Sequence, residues 1–500
     1  MAPAREGFRG GQNLWAPTGV MAWGCAGWSS PPTRARGRSD AVHATLARMV
    51  CPPSNAGGLR PLRYGMATIR ATATSNWWRH NLMEDPMADA ITLTCTWGRS
   101  PLPASGAPQL GYLLVEAAPA APPQVPVPLN FCLVLDRSGS MQGAKLQSMK
   151  QATHRLIDSL TPQDVVSIVI FDDTVQTLVP ATFATDPTAL HAAVDQIVEM
   201  GGTAMSLGMQ AGQVELQKHA APERFSAMLI LTDGQTWGDE DVCRALAQSL
   251  GQAGVRITAL GLGAEWNEKL LDDLADATGG VSDYVADPGQ ILSFFQRAVR
   301  SAQGTAAVEA RLLLRLVREA TPRAVYRVTP TIANLGYQPI GNSEVAVKLG
   351  DLVYGQVNSV IVELMLPARA PGQFRMAQAE LHATPVGSQS ELIVKQDVLL
   401  AFSADPNATP FDPRVMNLVE KVTAFKLQTR ALAEAELGNT AGATQKLRAA
   451  ATRLLDLGEL ELAEKTRQQA EQLEQGGAIS AESQKALKYA TRRLTQKLEE

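Results

Sequence analysis

From residue 130 to about residue 301, short apolar runs alternate with segments whose apolar residues recur at helical spacing. Apolar runs without polar alternation are typical of strands buried on both faces, and strands that alternate with helices form parallel sheets. The runs are FCLVL, VVSIVIF, AMLILT, VRITALGL and VSDYVA. The segment TVQTLVP follows a tight FDD turn and is predicted to be an antiparallel edge strand. The pattern therefore predicts a Rossmann-like α/β domain, with helices on both faces of a mostly parallel sheet.

The spacing of apolar residues also predicts where the helices of this domain lie. They are expected at Lys145 to Leu160, Pro187 to Val198, Ser206 to Lys218, Asp239 to Ala253, Asn267 to Thr278 and Pro288 to Ser301. With its first strand and last helix included, the α/β domain is predicted to span residues 129–302.

Strand-like segments flank this domain on both sides. ITLTCTW and LGYLLVEAA precede it, and a linker with five prolines runs from Pro119 to Pro128. After it, SEVAVKLGDL, VNSVIVELML, FRMAQAELHA and ELIVKQDVLLAF alternate with period two, as antiparallel sandwiches do. Because the termini of a compact domain often lie close together, we predict that residues 87–118 and 303–403 form one β-sandwich into which the α/β domain is inserted.

The two ends of the chain differ from its middle. Residues 1–86 contain ten Arg, no Lys and five of the eight Trp, without a sustained hydrophobic period. We expect a disordered extension, or a stretch upstream of a natural start at Met87. Residues 411–500 are rich in Ala, Leu, Glu, Lys and Arg, and the turn Leu437-Gly438 recurs at Leu457-Gly458. This pattern predicts two or three antiparallel helices, arranged as hairpins that could serve as an oligomerisation surface.

The hexapeptide DRSGSM directly follows the strand FCLVL and carries three oxygen-bearing side chains at alternating positions, Asp136, Ser138 and Ser140. Two further loops follow the same logic. GGTAM places Thr203 after a glycine pair, and TDG places Asp233 at the end of AMLILT. Because open parallel sheets bind ligands beyond the carboxyl ends of their strands, these five residues are expected to form one oxygen-lined cation site.

This ordered set resembles the metal-ion-dependent adhesion site of von Willebrand factor type A domains, and the resemblance covers residue 130 to about residue 301. It implies that Ser138, Ser140 and Thr203 coordinate the metal directly, and that Asp136 and Asp233 act largely through bound water. It also implies that ligand binding biases the last helix of the domain. In layout, the chain looks like bacterial intracellular members of the family.

Neutral hydroxyls would leave the bound cation much of its charge and at least one exchangeable water position. Mg²⁺ suits such a site because it prefers octahedral oxygen coordination and retains waters, and Mn²⁺ could substitute for it. A carboxylate from a partner protein could occupy the exchangeable position. The favoured function is therefore a metal-dependent protein-interaction module. The alternative is a non-catalytic subunit of an ATPase complex, as in chelatases.

Each site residue taken alone has an ordinary structural explanation. Ser140 and Thr203 could cap helices, and Asp233 with Gly234 could form a turn. Their joint occurrence, in order and after three strands, favours a metal site. Three more acidic residues are interpreted as turn, supporting or helix-start groups, namely Asp172, Asp173 and Asp239.

Enzyme motifs are missing from the sequence. Ser138 stands where a haloacid-dehalogenase phosphatase needs its acidic residue, and neither a GxSxG elbow nor a GxxxxGK loop occurs. The six histidines show no zinc-type spacing, and His154 and His191 are expected on helix surfaces. We therefore predict that the protein is not an enzyme.

Composition narrows the partners further. A net charge of -4 gives no electrostatic reason to expect nucleic acid, and no run of apolar residues is long enough to predict a membrane span. The five cysteines are scattered and form no CxxC pair, which is typical of reduced thiols and favours a cytoplasmic location.

Overall fold

A computed structural model of the chain describes residues 91–120, 126–405, 407 and 410–496. The predicted extension at residues 1–86 lies outside the described residues. The described chain forms an α/β domain inserted in a β-sandwich, followed by a helical segment, so the predicted fold class is confirmed.

The strands are numbered along the chain. They are β1 (Ile91–Trp97), β2 (Leu102–Pro103), β3 (Gln109–Pro119), β4 (Leu129–Asp136), β5 (Val165–Phe171), β6 (Val175–Phe183), β7 (Phe225–Thr232), β8 (Arg256–Leu262), β9 (Val281–Val285), β10 (Thr305–Leu316), β11 (Thr321–Thr329), β12 (Ala333–Asn334), β13 (Gln338–Gly341), β14 (Glu344–Val353), β15 (Asn358–Leu366), β16 (Gly372–Pro385) and β17 (Leu392–Ser403).

The α-helices are numbered in the same way. They are α1 (Ala144–Asp158), α2 (Pro187–Asp195), α3 (Met205–Gln217), α4 (Glu240–Gln252), α5 (Glu268–Thr278), α6 (Ile291–Gln303), α7 (Pro413–Glu436), α8 (Thr440–Asp456), α9 (Leu460–Glu474) and α10 (Ala481–Arg492). Single 3₁₀ turns lie at Gly139–Met141 and Pro288–Gln290.

The α/β domain is built on a six-stranded sheet in the order β6-β5-β4-β7-β8-β9. Strand β6 pairs antiparallel with β5 at the edge, and the other pairs are parallel, as predicted. The central strand β4 is buried throughout. Its Leu133 and Leu135 face a core that includes α1, α2 and α6, whereas Cys132 and Val134 face α3, α4 and α5. Helices therefore cover both faces of the sheet.

Helix α3 lies unusually close to the sheet because its inner face carries glycines. A Cβ atom at Gly208 would come within 2.8 Å of Phe171, and one at Gly212 within 2.9 Å of Met228. Larger residues at these positions would push α3 away from β4 and β5. The close packing fixes the start of α3, which follows the predicted Thr203 loop.

The β-sandwich consists of two sheets whose strands come from both sides of the insertion. One sheet has the order β1-β3-β15-β11-β12, and the other has the order β13-β14-β10-β16-β17-β2. Strand β3 precedes the α/β domain and pairs antiparallel with β15, which follows it. The sequence patterns did not identify β10 or β11 as separate strands. Strand β15 is buried on both faces, so its predicted alternation between inward and outward residues is wrong.

The helical segment packs against the outer face of the sheet that contains β15. Leu114, Tyr326 and Ile361 of that sheet share a core with α7 and the helices after it. The part of the chain described here contains four helices after residue 412, where two or three were predicted. The third turn ends on Gln475-Gly476 rather than on Leu-Gly, so the sequence repeat did not reveal it.

The described part of the chain lacks a helix that combines the length and the apolarity needed to cross a membrane. Three cysteines lie in the described ranges, and all three are unpaired thiols, namely Cys95, Cys132 and Cys243.

Candidate metal centre

The loops that carry the predicted site meet at the carboxyl end of the central strands. Asp136 is the last residue of β4, and the DRSGSM loop continues through the 3₁₀ turn at Gly139–Met141. The backbone N–H of Gly139 donates to the carbonyl of Gly201 at 3.1 Å, and that of Met200 donates to the carbonyl of Arg137 at 2.8 Å. These two hydrogen bonds join the DRSGSM loop to the loop that carries Thr203.

The two serine hydroxyls and one carboxylate of the predicted set lie in direct contact. Ser138 Oγ and Ser140 Oγ are 3.0 Å apart, and Ser140 Oγ donates to Asp233 Oδ1 at 2.7 Å. Thr203 lies against Gly234, because a Cβ atom at that glycine would be 2.9 Å from Thr203 Oγ1. Residues from three separate loops are therefore brought to one place.

Asp136 lies buried beneath the DRSGSM loop and stabilises it through hydrogen bonds. Its carboxylate is fully buried, and it accepts hydrogen bonds from the Ser138 N–H at 2.7 Å and from Thr232 Oγ1 at 2.6 Å. Burial raises the pKa of the Asp136 carboxyl to about 6, although these hydrogen bonds lower it, and the negative charge of Asp233 raises it further. Buried negative charge of this kind is stabilised by a nearby cation.

Lys145, in the first turn of α1, supplies a positive charge at the site that the sequence patterns did not reveal. Its Nζ donates to Asp233 Oδ2 and, at 3.2 Å, to the carbonyl of Ser140. The Lys145 side chain is one-third exposed, while the Asp233 side chain is buried. A residue nine positions after the first motif aspartate could be assigned to the site only once the direction of α1 was known.

The structure does not support the alternative in which Ser140 and Thr203 cap helices. The N-cap residue of α1 is Gly143 and that of α3 is Ala204, and neither makes a side-chain capping hydrogen bond. Ser140 and Thr203 are therefore not used as caps. Both lie at the solvent side of the site, Ser140 exposed and Thr203 partly exposed, above the buried carboxylates.

Asp172 holds the DRSGSM loop in place, and Asp173 holds the loop that carries Thr203. Asp172 forms an ion pair with Arg137, with 2.6 Å between Oδ2 and Nε, and its other oxygen accepts from Thr174. Asp173 Oδ2 accepts from the N–H of Gly202 at 2.8 Å. A Cβ atom at Gly202 would lie 2.4 Å from this carboxylate, so only glycine permits the approach. The two aspartates are thus supporting groups and not simple turn residues.

Asp239 plays a similar part on the other side. It is the N-cap residue of α4 but makes no capping bond there. Its carboxylate instead accepts from the Ser206 N–H at 2.8 Å and from the Thr236 hydroxyl, whose oxygen also lies 3.2 Å from the Thr203 carbonyl oxygen. The start of α3 and the loop after β7 are joined in this way.

The donor set has the chemistry of a site for a hard cation. Two neighbouring oxygen ligands of an octahedral Mg²⁺ lie about 3.0 Å apart, because Mg–O distances are about 2.1 Å. The two serine hydroxyls have this separation. Within the described residues, no group of three or more His, Cys, Asp or Glu side chains could hold a metal ion. A metal at this position would therefore depend on hydroxyl ligands.

Comparison with known proteins agrees with this architecture. The sequence model of the von Willebrand factor type A domain matches residues 130–297, and that of the Sll0103-like, C-terminal alpha-helical domain matches residues 413–497. The uncharacterized protein sll0103 of Synechocystis is 30% identical over 328 residues, which cover 65% of this chain and 75% of that protein.

Two more distant similarities cover part of another protein or concern the fold alone. The human inter-alpha-trypsin inhibitor heavy chain H4 is 27% identical over 202 residues, which cover 37% of this chain and only 21% of that protein. A solved von Willebrand factor type A structure from Catenulispora acidiphila has a TM-score of 0.66 at 18% identity, and the match covers 81% of this chain and 96% of that one. That likeness shows a shared fold.

Proposed function

Because this chain belongs to the family of von Willebrand factor type A proteins with an Sll0103-like C-terminal α-helical domain, we propose that it binds a partner protein through a divalent cation. Domains of this type typically mediate protein–protein interaction. The cation would be Mg²⁺, with Mn²⁺ as a substitute, and its role would be binding, not catalysis. The residues that would hold it are Asp136, Ser138, Ser140, Thr203 and Asp233.

The contact between Ser138 Oγ and Ser140 Oγ, 3.0 Å apart beside the Asp233 carboxylate, is the observation that carries this proposal. Hydroxyl ligands do not neutralise the cation, so it keeps affinity for an added carboxylate. Solvent reaches the hydroxyl side of the site, since Ser140 is exposed. An acidic side chain of a partner could therefore approach from that side.

Exposed apolar side chains on the same loops support a partner-binding surface. Trp237, four residues after Asp233, is 81% exposed, and Met200, three residues before Thr203, is 54% exposed. Aromatic residues and Met are enriched in protein interfaces, where they surround or anchor polar contacts. The partner would thus present an acidic residue together with an apolar surface.

The proposal is tested by metal uptake and by affinity capture with the full chain. Wild type is expected to bind one Mg²⁺ or Mn²⁺ by calorimetry, and Asp136→Ala and Thr203→Ala are expected to lose this binding. Asp273→Ala, whose side chain lies on α5 beside Arg244, is the matched control and should bind as wild type does. Circular dichroism verifies that each variant is folded. Absence of Mg²⁺ and Mn²⁺ uptake by folded wild type would refute the proposal.

Capture then identifies the partner. Prey retained by wild type in Mg²⁺, and lost with chelator and with both site variants, would be the metal-dependent ligand. Recovery of an ATPase whose turnover rises when this chain is added would instead favour the role of a non-catalytic subunit in an enzyme complex. Prey that is unchanged under all conditions would place the binding surface on the sandwich or the helical segment.

A further inference from the structure

Helices α1 and α2 carry the same short pattern, a histidine followed four residues later by an aspartate. The pattern is HRLID at His154 to Asp158 and HAAVD at His191 to Asp195. Because residues four apart share one face of a helix, each helix presents its histidine and aspartate together. The two histidines are 37 positions apart in the chain, a spacing unlike that of zinc motifs, and the sequence therefore did not predict that they meet.

In the structure the two patterns cross. His154 Nε2 lies 3.0 Å from Asp195 Oδ1 of the opposite helix, and His191 Nε2 lies 3.0 Å from Asp158 Oδ1. The two Nδ1 atoms face each other at 2.7 Å. The result is a continuous row of four side chains, carboxylate, imidazole, imidazole and carboxylate, which joins α1 to α2.

The outer carboxylates determine which ring nitrogens carry hydrogen. A carboxylate only accepts hydrogen bonds, so each Nε2 must be the N–H donor. In a neutral imidazole the other nitrogen is then an acceptor with a lone pair. The two Nδ1 atoms, 2.7 Å apart, can then share one proton in an N–H···N hydrogen bond, or both can direct their lone pairs to one metal ion.

We propose that His154 and His191 form a binding site for a divalent transition-metal ion, with both Nδ1 atoms as ligands. Histidine ligands that donate their second N–H to a carboxylate are the usual arrangement at metal sites, because the carboxylate fixes the ring and makes the nitrogen more basic. Imidazole ligands select Cu²⁺, Ni²⁺ or Zn²⁺ over Mg²⁺, which prefers oxygen. This site is chemically distinct from the hydroxyl-lined centre.

The separation of the nitrogens favours a particular geometry. With metal–nitrogen distances of about 2.0 to 2.1 Å, two ligands at a right angle are about 2.9 Å apart, and two tetrahedral ligands about 3.3 Å apart. The observed 2.7 Å is closer to the right-angle value. Tetragonal Cu²⁺ or octahedral Ni²⁺ therefore needs less movement than tetrahedral Zn²⁺, and water would complete the coordination.

The site is accessible and rests on a preformed scaffold. The His154 and His191 side chains are 25% and 28% exposed, so a hydrated ion can reach them. Leu156 of α1 and Leu190 of α2 are buried in one core, which holds the helices together without the metal. Arg155 lies 3.7 Å from Asp158, but both groups are about half exposed or more, and their attraction is weak.

The test uses the full chain at pH 7.5 with Cu²⁺ as the probe, in excess Mg²⁺ so that the hydroxyl-lined centre does not contribute. Electron paramagnetic resonance of the wild type is expected to show copper bound by two imidazole nitrogens. The signal should be lost in His154→Gln and in His191→Gln, and kept in the matched control His219→Gln, whose ring contacts Phe183 instead. Asp158→Asn and Asp195→Asn should weaken binding by about 10- to 100-fold.

Thermal unfolding gives a second measurement that does not rely on the variants alone. Because the metal binds the folded state, Cu²⁺ should raise the wild-type Tm but not that of either histidine variant. If the electron paramagnetic resonance signal of copper added to the wild type shows no coordination by two imidazoles, the proposal is overturned. Copper binding that both histidine variants retain would also overturn it.

Discussion

Gly234 follows Asp233 and lies so close to Thr203 that a side chain at position 234 would collide with the Thr203 hydroxyl. Alanine there would place a Cβ atom 2.9 Å from Thr203 Oγ1 and force that hydroxyl to turn away. We expect Gly234→Ala to lower Mg²⁺ affinity by at least about tenfold, which corresponds to ~1.4 kcal/mol. Gly139→Ala is the matched control, since its Cβ atom would be 3.6 Å from the nearest atom. Calorimetric titration of both variants checks this, and equal affinities would contradict it.

Trp237 tests the partner surface separately from the metal. Its side chain is 81% exposed, so its removal should hardly affect folding or Mg²⁺ uptake. If the ring is buried by a partner, Trp237→Ala should weaken capture of that partner by at least about tenfold, as for an aromatic anchor. Leu437→Ala, at an 86% exposed position in the helical segment, is the control. Retention of full partner affinity by Trp237→Ala would exclude this loop from the interface.

The sequence predicted where some residues near the candidate site lie, but not others. The placement of Asp136, Ser138 and Asp233 at one edge of the sheet was predictable because each lies at or just after the end of a strongly apolar strand, and strand ends determine position in a parallel sheet. Lys145 and His154 were not, because the groups that their side chains reach depend on the direction of α1 and on how it packs against its neighbours. Local spacing does not specify either.

Some strands could be recognised from the sequence, and others could not. Strands with an unbroken pattern, such as β5 and β7, were recognised from their apolar runs. Strand β10 was missed because its register shifts between Ala307 and Arg311, and Glu309 has a φ of 57°. A bulge of this kind moves later side chains to the other face, so strict alternation is lost.

Helix α10 is the element that attaches the helical segment to the α/β domain, and Asp272 of α5 is the centre of this contact. Arg492 donates to both Asp272 oxygens at 3.1 Å, and Lys488 and Tyr489 donate at 2.9 and 3.1 Å. Asp272→Asn removes the negative charge that these groups share and should destabilise the protein by about 2 kcal/mol, the size expected for hydrogen bonds to a charged group. The adjacent Asp273→Asn, in a more exposed ion pair, should cost less than about 1 kcal/mol in denaturant unfolding.

The same contact should make stability depend on pH in acid. Burial alone would raise the pKa of Asp272, but the charge and hydrogen bonds of Arg492 and the charge of Lys488 outweigh it and lower the pKa to about 2, from an ordinary 3.8. A lowered pKa stabilises the fold fully above about pH 4, and this contribution is lost as the pH falls toward about 2. The difference in unfolding free energy between wild type and Asp272→Asn should therefore shrink over this interval, and a constant difference would contradict the assignment.

The α/β domain is joined to the rest of the chain by side-chain contacts as well as by its two covalent connections. Arg256, at the start of β8, forms a bidentate ion pair with Asp351 of the sandwich, with N–O distances of 2.6 and 2.8 Å. Each side chain is 11% exposed. Lys485 of α10 donates to the carbonyls of Ala264 and Trp266 at 2.6 Å. Insertion was predictable from the strand patterns, but these contacts were not, because they join segments far apart in the sequence.

Such contacts should make the three parts unfold together, and Tyr489 is the side chain that tests this. It is 1% exposed, and its ring lies 6.0 Å from that of Trp266 and 6.1 Å from that of Tyr284. Tyr489→Ala would open a cavity costing about 3 to 5 kcal/mol at this contact. We expect calorimetry to show one unfolding transition for the wild type and two for Tyr489→Ala, because the α/β domain would no longer be coupled to the helical segment. Tyr489→Phe keeps the ring and loses only the hydrogen bond to Asp272, so it should retain the single transition. A single transition for Tyr489→Ala, merely shifted to lower temperature, would mean that the Arg256 pair and the covalent connections suffice for the coupling.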